Sequence, residues 1–302
     1  MKPATFKYVR AETQDQAVEL LGAADGTARI LAGGQSLIPA LSARSISTSL
    51  LLDIMRCPGL DMVLQSAGEI TIGASCRQSQ IERNPVIQQS IPLLSEALGW
   101  VAMPQVRSRG TVVGCLAQAN PGGEVPVVSL ALDARFDILL SGGVRRRMPA
   151  EDVYARETDT NLPPKSLIVS AAFRSCAAGE GWGFSEVQLR PGHVALVCCA
   201  ATLAVDEGGS IRSATIAIGG LTTSPYRAHH AEKALLAAGG DVESAIRDAA
   251  HMATSERPWP SRTDLHATAA FREKAGVAAV ARALKKAHAR CSRQAGLKND
   301  TA

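Results

Sequence analysis

Two short stretches of this chain combine residue types suited to holding phosphates and sugars. The first is LAGGQSL, Leu31 to Leu37. The run ARILAGG reads as a buried strand that delivers two glycines, after which Gln35 and Ser36 open a helix. Backbone N–H groups freed by such a turn, together with a helix N-terminus, make an anion site. Glycine lets the backbone approach a phosphate with no Cβ in the way. Ala32, Gly33, Gly34, Gln35, Ser36 and Leu37 are therefore a candidate phosphate cradle, although a strand ending in Gly-Gly also serves as a plain tight turn. The pattern is not G-x-G-x-x-G, so the Rossmann fingerprint is missing at this turn.

The second stretch is RGTVVGCLAQANPGGEVP, Arg109 to Pro126, whose only charges are Arg109 and Glu124. Gly110 and Gly114 let the backbone run close to a ligand, and Thr111 offers a hydroxyl. Glu124, beyond the Asn120-Pro121 turn, can accept from a sugar hydroxyl as an acidic residue does for ribose. A glycine-rich loop beside a helix is the alternative. Two such loops, roughly eighty residues apart, point to a dinucleotide-like ligand lying between the first two regions of the chain.

The elements that must position these loops are legible in outline. The chain has 302 residues, 46% hydrophobic and 20% charged, enough for two or three domains with ordinary cores. A net charge of +4 is too small to suggest nucleic acid, and no aromatics interleave with basic runs. The opening residues carry no apolar signal region, and the longest apolar run, VALVCCAATLAV at 194–205, is far short of a membrane span. The expectation is a cytoplasmic protein with no membrane span. Seven cysteines with no C-x-x-C pair argue against a disulfide framework, a zinc site or an iron–sulfur cluster on this chain.

Residues 13–54 alternate helix and strand, which argues for a parallel or mixed sheet. Thr13-x-x-Gln16 is a capping box for the first helix. A second region contains EITIGA as a strand, two helical stretches, the glycine-rich segment, VPVVSLALDA as an apolar helix, and a hairpin around Gly142-Gly143. Its basic edge, Arg145 to Arg147, reads as a solvated face. The third region offers three strand-like runs for an antiparallel sheet, followed by three helices. His229-His230 reads as an exposed helix start, because adjacent helical residues do not face one another. The expected division is 1–58, 59–177 and 178–290, with a disordered tail at 291–302.

LAGGQSLIPAL, LLDIMRCPGL, ITIGASCR and MPQVRSRGTVVGCLAQANPGGEVP, in that order, resemble the FAD-binding medium subunit of the molybdenum hydroxylases. These are the relatives of xanthine dehydrogenase and aerobic carbon monoxide dehydrogenase. GFSEVQLRPGHVALVCCAA and TTSPYRAHHAEKALL continue the resemblance, which covers roughly residues 4–290.

The resemblance implies an α+β fold: a two-subdomain FAD-binding domain of the vanillyl-alcohol oxidase type, then a domain of a three-stranded antiparallel sheet with a helical cluster. It implies that the Ala32–Ser36 and Thr111–Cys115 loops, the latter including Val112 and Gly114, hold the FAD pyrophosphate and its neighbours. Glu124 takes the family's acidic position, past Asn120. Val101 and Ala102 would lie near the flavin or adenine, and Leu167 would line the cofactor site. His193 is either a neighbour of the flavin or a surface turn residue. Cys115 reads as a structural thiol. The implied partners are a large molybdopterin subunit and a small subunit with [2Fe-2S] clusters, in a dimer of heterotrimers, with FAD passing electrons to NAD or another acceptor.

Three positions depart from the family pattern. Val113 stands where a glycine is common, Gly192-His193-Val194 replaces Gly-Asp-Tyr, and Glu186 replaces a lysine. They bear on flavin tuning more than on FAD binding. Two other readings stay open: a self-contained flavin oxidoreductase on the same scaffold, and a flavin-less assembly subunit.

Overall fold

The computed structural model describes residues 2–24, 26–206, 208–238 and 241–299. The chain opens with β1 (Lys7–Arg10), α1 (Gln14–Ala23), β2 (Arg29–Leu31), α2 (Leu37–Ser42) and β3 (Leu50–Asp53). Helical crossovers between strands force parallel pairing, and the sheet order is β1-β3-β2, all parallel. Of the expected capping box one half forms, Gln16 N–H donating to Thr13 Oγ1 at 3.1 Å, while the Gln16 side chain accepts from the N–H of Glu12, one residue before the cap, rather than from Thr13.

The second subdomain begins with β4 (Val63–Ser66) and β5 (Glu69–Gly73). Six helices follow: α3 (Gln78–Glu82), α4 (Pro85–Ser90), α5 (Pro92–Leu98), α6 (Pro104–Arg107), α7 (Val112–Gln118) and α8 (Glu124–Ala131). Then come β6 (Arg135–Leu139), β7 (Arg145–Pro149), α9 (Ala150–Val153) and β8 (Leu167–Arg174). The strands form an antiparallel sheet in the order β4-β5-β8-β6-β7. Gly142 and Gly143, both at positive φ, turn the β6–β7 hairpin, and Arg145 to Arg147 lie exposed along it. Every residue of α8 is buried, Glu124 and Ser129 included, in keeping with its otherwise apolar sequence.

The third domain has β9 (Glu180–Val187), β10 (Val197–Val205), β11 (Ile211–Gly219) and β12 (Tyr226–Arg227), antiparallel in the order β12-β11-β10-β9. The expected three-stranded sheet thus gains a two-residue edge strand. Helices α10 (His229–Ala237), α11 (Val242–Ser255) and α12 (Ala269–Asn299) cover it. Cys291, where the expected tail begins, is itself buried on α12, and its thiol donates to Leu203 O. Residues 300–302 lie outside the described residues.

The two-residue side-chain period of β10 divides it between two cores. Val197, Cys199, Ala201 and Leu203 pack against the three helices, whereas Cys198 and Ala200 join the core of the first domain. Charge pairs cross the seam beside this packing. Glu96 on α5 meets Arg290 at 2.6 Å and Lys286 at 3.4 Å on α12. Arg290 also donates to Trp182 O and lies over the Trp182 ring. Glu96→Ala is expected to lower stability by about 1–2 kcal/mol, discounted for the partly exposed lysine. Urea unfolding checks this, and an unchanged midpoint would remove the clamp from the argument.

Candidate functional site

A cleft of about 820 Å³ opens where the first two subdomains meet the third domain, a size usual for a cofactor site. Both glycine-rich segments reach it. An ideal Cβ on Gly33 would stand 2.6 Å from Arg109 O and from Gly110 Cα, so the two segments touch and a side chain there would part them. Gly34 adopts φ +73°, which turns the chain from β2 into α2. The N–H groups of Gly33, Gly34, Gln35, Ser36 and Leu37 have no partner among the described residues. Gln35 folds its amide back onto Gly33 O at 3.1 Å. Five unpaired donors on one turn fit a phosphate group.

The segment expected as a second binding loop is instead the first turn of α7. Thr111 is its N-cap, and its hydroxyl accepts from Gly114 N–H at 3.0 Å. A Cβ on Gly114 would stand 2.6 Å from that hydroxyl. Glycine is therefore needed there for the cap, a reason additional to close approach by a ligand. Val113 lines the cleft with its side chain otherwise buried, so a residue larger than glycine is accommodated at this position.

Of the residues singled out from sequence, the cleft gathers Ala32 to Leu37, Val101, Ala102, Thr111, Gly114, Cys115, Asn120, Glu124 and Leu167. It does not gather Val112 or His193. Val112 turns into the core, and its N–H donates to Cys76 O. His193 accepts from Arg190 Nε at 2.5 Å outside the cleft, while its neighbours Gly192 and Val194 form part of the wall.

Glu124 is the chemically informative side chain. It is 7% exposed at the first turn of α8 and lines the cleft. Apart from its own N–H, its carboxylate has no hydrogen-bond or ion-pair partner among the described residues. Burial raises its pKa to about 7. A buried acceptor in this state fits a hydroxyl donor from a ligand. Glu186 lies across the seam, paired in register with Cys198 and also buried, and its pKa is raised to about 8 by burial and by Glu124. Cys115 is held up to about 12 by burial, which makes it an inert thiol.

Sequence reasoning missed two parts of the wall. Leu162 to Ser166, read simply as a loop, closes one side. Lys165, at φ +56°, donates from Nζ to Gly22 O and Ala24 O at 2.8 Å each, tying that loop to the end of α1. Gln78 on α3 lies at the base. Neither position carries a local sequence signal, because each depends on a contact between distant segments.

The donor turn, the unpaired carboxylate and the cleft's size and mixed apolar lining all fit FAD. Comparison with known proteins agrees. Residues 4–173 match the family described as the FAD binding domain in molybdopterin dehydrogenase, and residues 182–287 match the CO dehydrogenase flavoprotein C-terminal domain. The chain is 31% identical to the carbon monoxide dehydrogenase medium chain of Hydrogenophaga pseudoflava, over 97% of this chain and 100% of that one. It is 38% identical, over 78% of this chain and 79% of the relative, to the 6-hydroxypseudooxynicotine dehydrogenase complex subunit alpha of Paenarthrobacter nicotinovorans. The solved carbon monoxide dehydrogenase of Hydrogenophaga pseudoflava superposes with a TM-score of 0.91 at 33% identity, covering 96% of this chain and 100% of that chain. Quinoline 2-oxidoreductase from Pseudomonas putida 86 does so at 0.88 and 32%, covering 96% and 99%. The chain therefore belongs to the FAD-binding medium subunits of the molybdenum hydroxylases, a family of oxidoreductase flavoproteins.

Proposed function

We propose that this chain is the electron-transfer subunit of a molybdenum-dependent dehydrogenase. FAD in the cleft receives electrons from a small [2Fe-2S] subunit and delivers them to NAD or another acceptor. A large molybdopterin subunit oxidises the organic substrate, and the assembly is a dimer of heterotrimers. The observation that carries this reading is the pairing of the five-donor turn at 33–37 with the unpaired carboxylate of Glu124 in one cleft. The turn receives the pyrophosphate and Glu124 accepts from a sugar hydroxyl. Val101, Ala102 and Leu167 supply apolar wall that excludes water.

Two further features support a subunit rather than a self-contained enzyme. Glu124 is the acidic residue among the described cleft residues, and the thiol beside it is inert, so the wall offers no paired acid and base. When bound, the flavin supplies the redox chemistry, and the protein sets its position. Val194 on the cleft wall and Met103 beside the wall residue Gly192 are exposed apolar side chains, a composition suited to a protein partner.

Co-expression with the neighbouring genes and purification through a tag on this chain tests the reading. About one FAD per chain with an iron–sulfur and a molybdopterin subunit is the expected outcome. FAD without partners would favour a self-contained oxidoreductase, and partners without FAD an assembly role. Glu124→Gln keeps the shape but weakens the acceptor, so FAD affinity should fall about tenfold by flavin fluorescence titration. An unchanged affinity would take Glu124 off the cofactor.

A further inference from the structure

Lys165 joins two walls of the cleft. The end of α1 and the start of β2 form one of them, lined by Leu21, Ala28 and Ile30, and the 162–166 segment forms the other. Lys165 itself lines the cleft and is exposed, and its Nζ donates to Gly22 O and Ala24 O at 2.8 Å each. Its side chain therefore crosses from one wall to the other at the outer rim.

Little else holds the 162–166 wall. Leu162 packs on the core, and Ser166 Oγ donates to Pro163 O within the segment. Pro163 and Pro164 have no N–H to donate. Among the described residues, no other hydrogen bond joins residues 162–165 to another element. The backbone at Lys165 has φ +56°, a region that glycine enters freely and lysine only at a cost. The lysine side chain offsets that cost by placing a cation on the free carbonyls at the C-terminal end of α1. The last turn of α1 has no basic residue of its own. The cation comes instead from the opposite wall, 141 residues further along the chain.

We propose that Lys165 is a cofactor-positioning residue: its ammonium latches the 162–166 wall to the end of α1 and so slows the release of bound FAD. This rests on the cleft being the FAD site. Leu162 and Pro163 are then held against Leu21, Ala28 and Ile30 as an apolar slot for a flat ring of the cofactor.

The test uses the full chain loaded with FAD, with release after dilution followed by flavin fluorescence. Lys165→Gly removes the cation and relieves the backbone, Lys165→Met removes the cation and keeps the stem, and Lys165→Arg keeps a cation. The Gly and Met variants should release FAD about tenfold faster, and the Arg variant within about threefold of the wild-type rate. The thermal midpoint of FAD-free Lys165→Gly should stay close to that of the wild type, because relief of the backbone offsets the lost contact. A lower midpoint with wild-type release in the Gly and Met variants would make Lys165 a cap for α1 and nothing more. Wild-type release in both folded variants, or failure of both to fold, overturns the proposal while leaving the FAD site standing. A wild-type chain that binds no FAD overturns both.

Discussion

Gly33→Val should cost the chain its FAD, weakening binding roughly 100-fold, with the third domain still folded. The reason is local. The added side chain would meet Arg109 O and Gly110 Cα at 2.6 Å and Thr111 N at 2.9 Å, all backbone atoms that cannot rotate away. The 31–37 turn must then separate from the 109–111 segment, and the unpaired N–H groups of the turn lose their alignment. The core of β9 to β11 with α10 to α12 is a separate cluster and has no share in this contact. Flavin content after gel filtration and a fluorescence titration read the effect, with circular dichroism reporting the fold. A folded Gly33→Val chain that keeps wild-type affinity would show that the two segments do not jointly hold the cofactor. Gly114→Val acts differently, by evicting the Thr111 hydroxyl from its cap, and should give a smaller loss of affinity together with a lower thermal midpoint.

Much of this arrangement could be read in the residues, for identifiable physical reasons. Alternating strands and helices in residues 13–54 point to a parallel or mixed sheet, and β1, β2 and β3 form a parallel one; Gly-Gly after an apolar strand suits a phosphate cradle but equally a tight turn. The mostly apolar run after Glu124 forms a fully buried helix, with its Ser129 hydroxyl satisfied by Pro126 O. Other features depend on contacts between distant segments and leave no local trace. Thr111 can read equally as a ligand donor or as an N-cap, and its use as a cap depends on α7 being a helix. His193 follows a turn whose neighbours do line the cleft, but Arg190 draws its ring aside. Gln78 looks like any polar residue at a helix start until Gly110 and Cys115 enclose it. Cys291 on α12 is held by a thiol packed under β9 and β10, where Gly181 N–H donates to it. A polar C-terminal composition gives no hint of that contact.

Glu186→Gln should make the FAD-free chain more stable at alkaline pH and flatten its pH dependence. Glu186 is 8% exposed, its Oε2 has no partner, and its Oε1 accepts from Gln188 Nε2. Burial and the nearby Glu124 raise its pKa from 4.5 to about 8. The folded chain therefore binds this proton more tightly than the unfolded chain does. Stability is greatest below the unfolded value and falls as pH rises through the folded one. At about 1.4 kcal/mol per pKa unit, full ionisation costs roughly 3–5 kcal/mol by pH 9. Glutamine carries no such proton. Urea unfolding at pH 6 and pH 9 should show the wild-type chain losing stability over that interval and Glu186→Gln losing at least about 2 kcal/mol less. Glu124, raised to about 7 by its own burial, remains in the variant and accounts for the residual slope. Parallel losses in the two proteins would mean that Glu186 ionises as freely in the folded chain as in the unfolded one. Bound FAD should shrink the slope that Glu124 contributes, because a hydroxyl donor on its carboxylate favours the charged form, while the Glu186 contribution should persist or grow, because a charged Glu124 raises the Glu186 pKa.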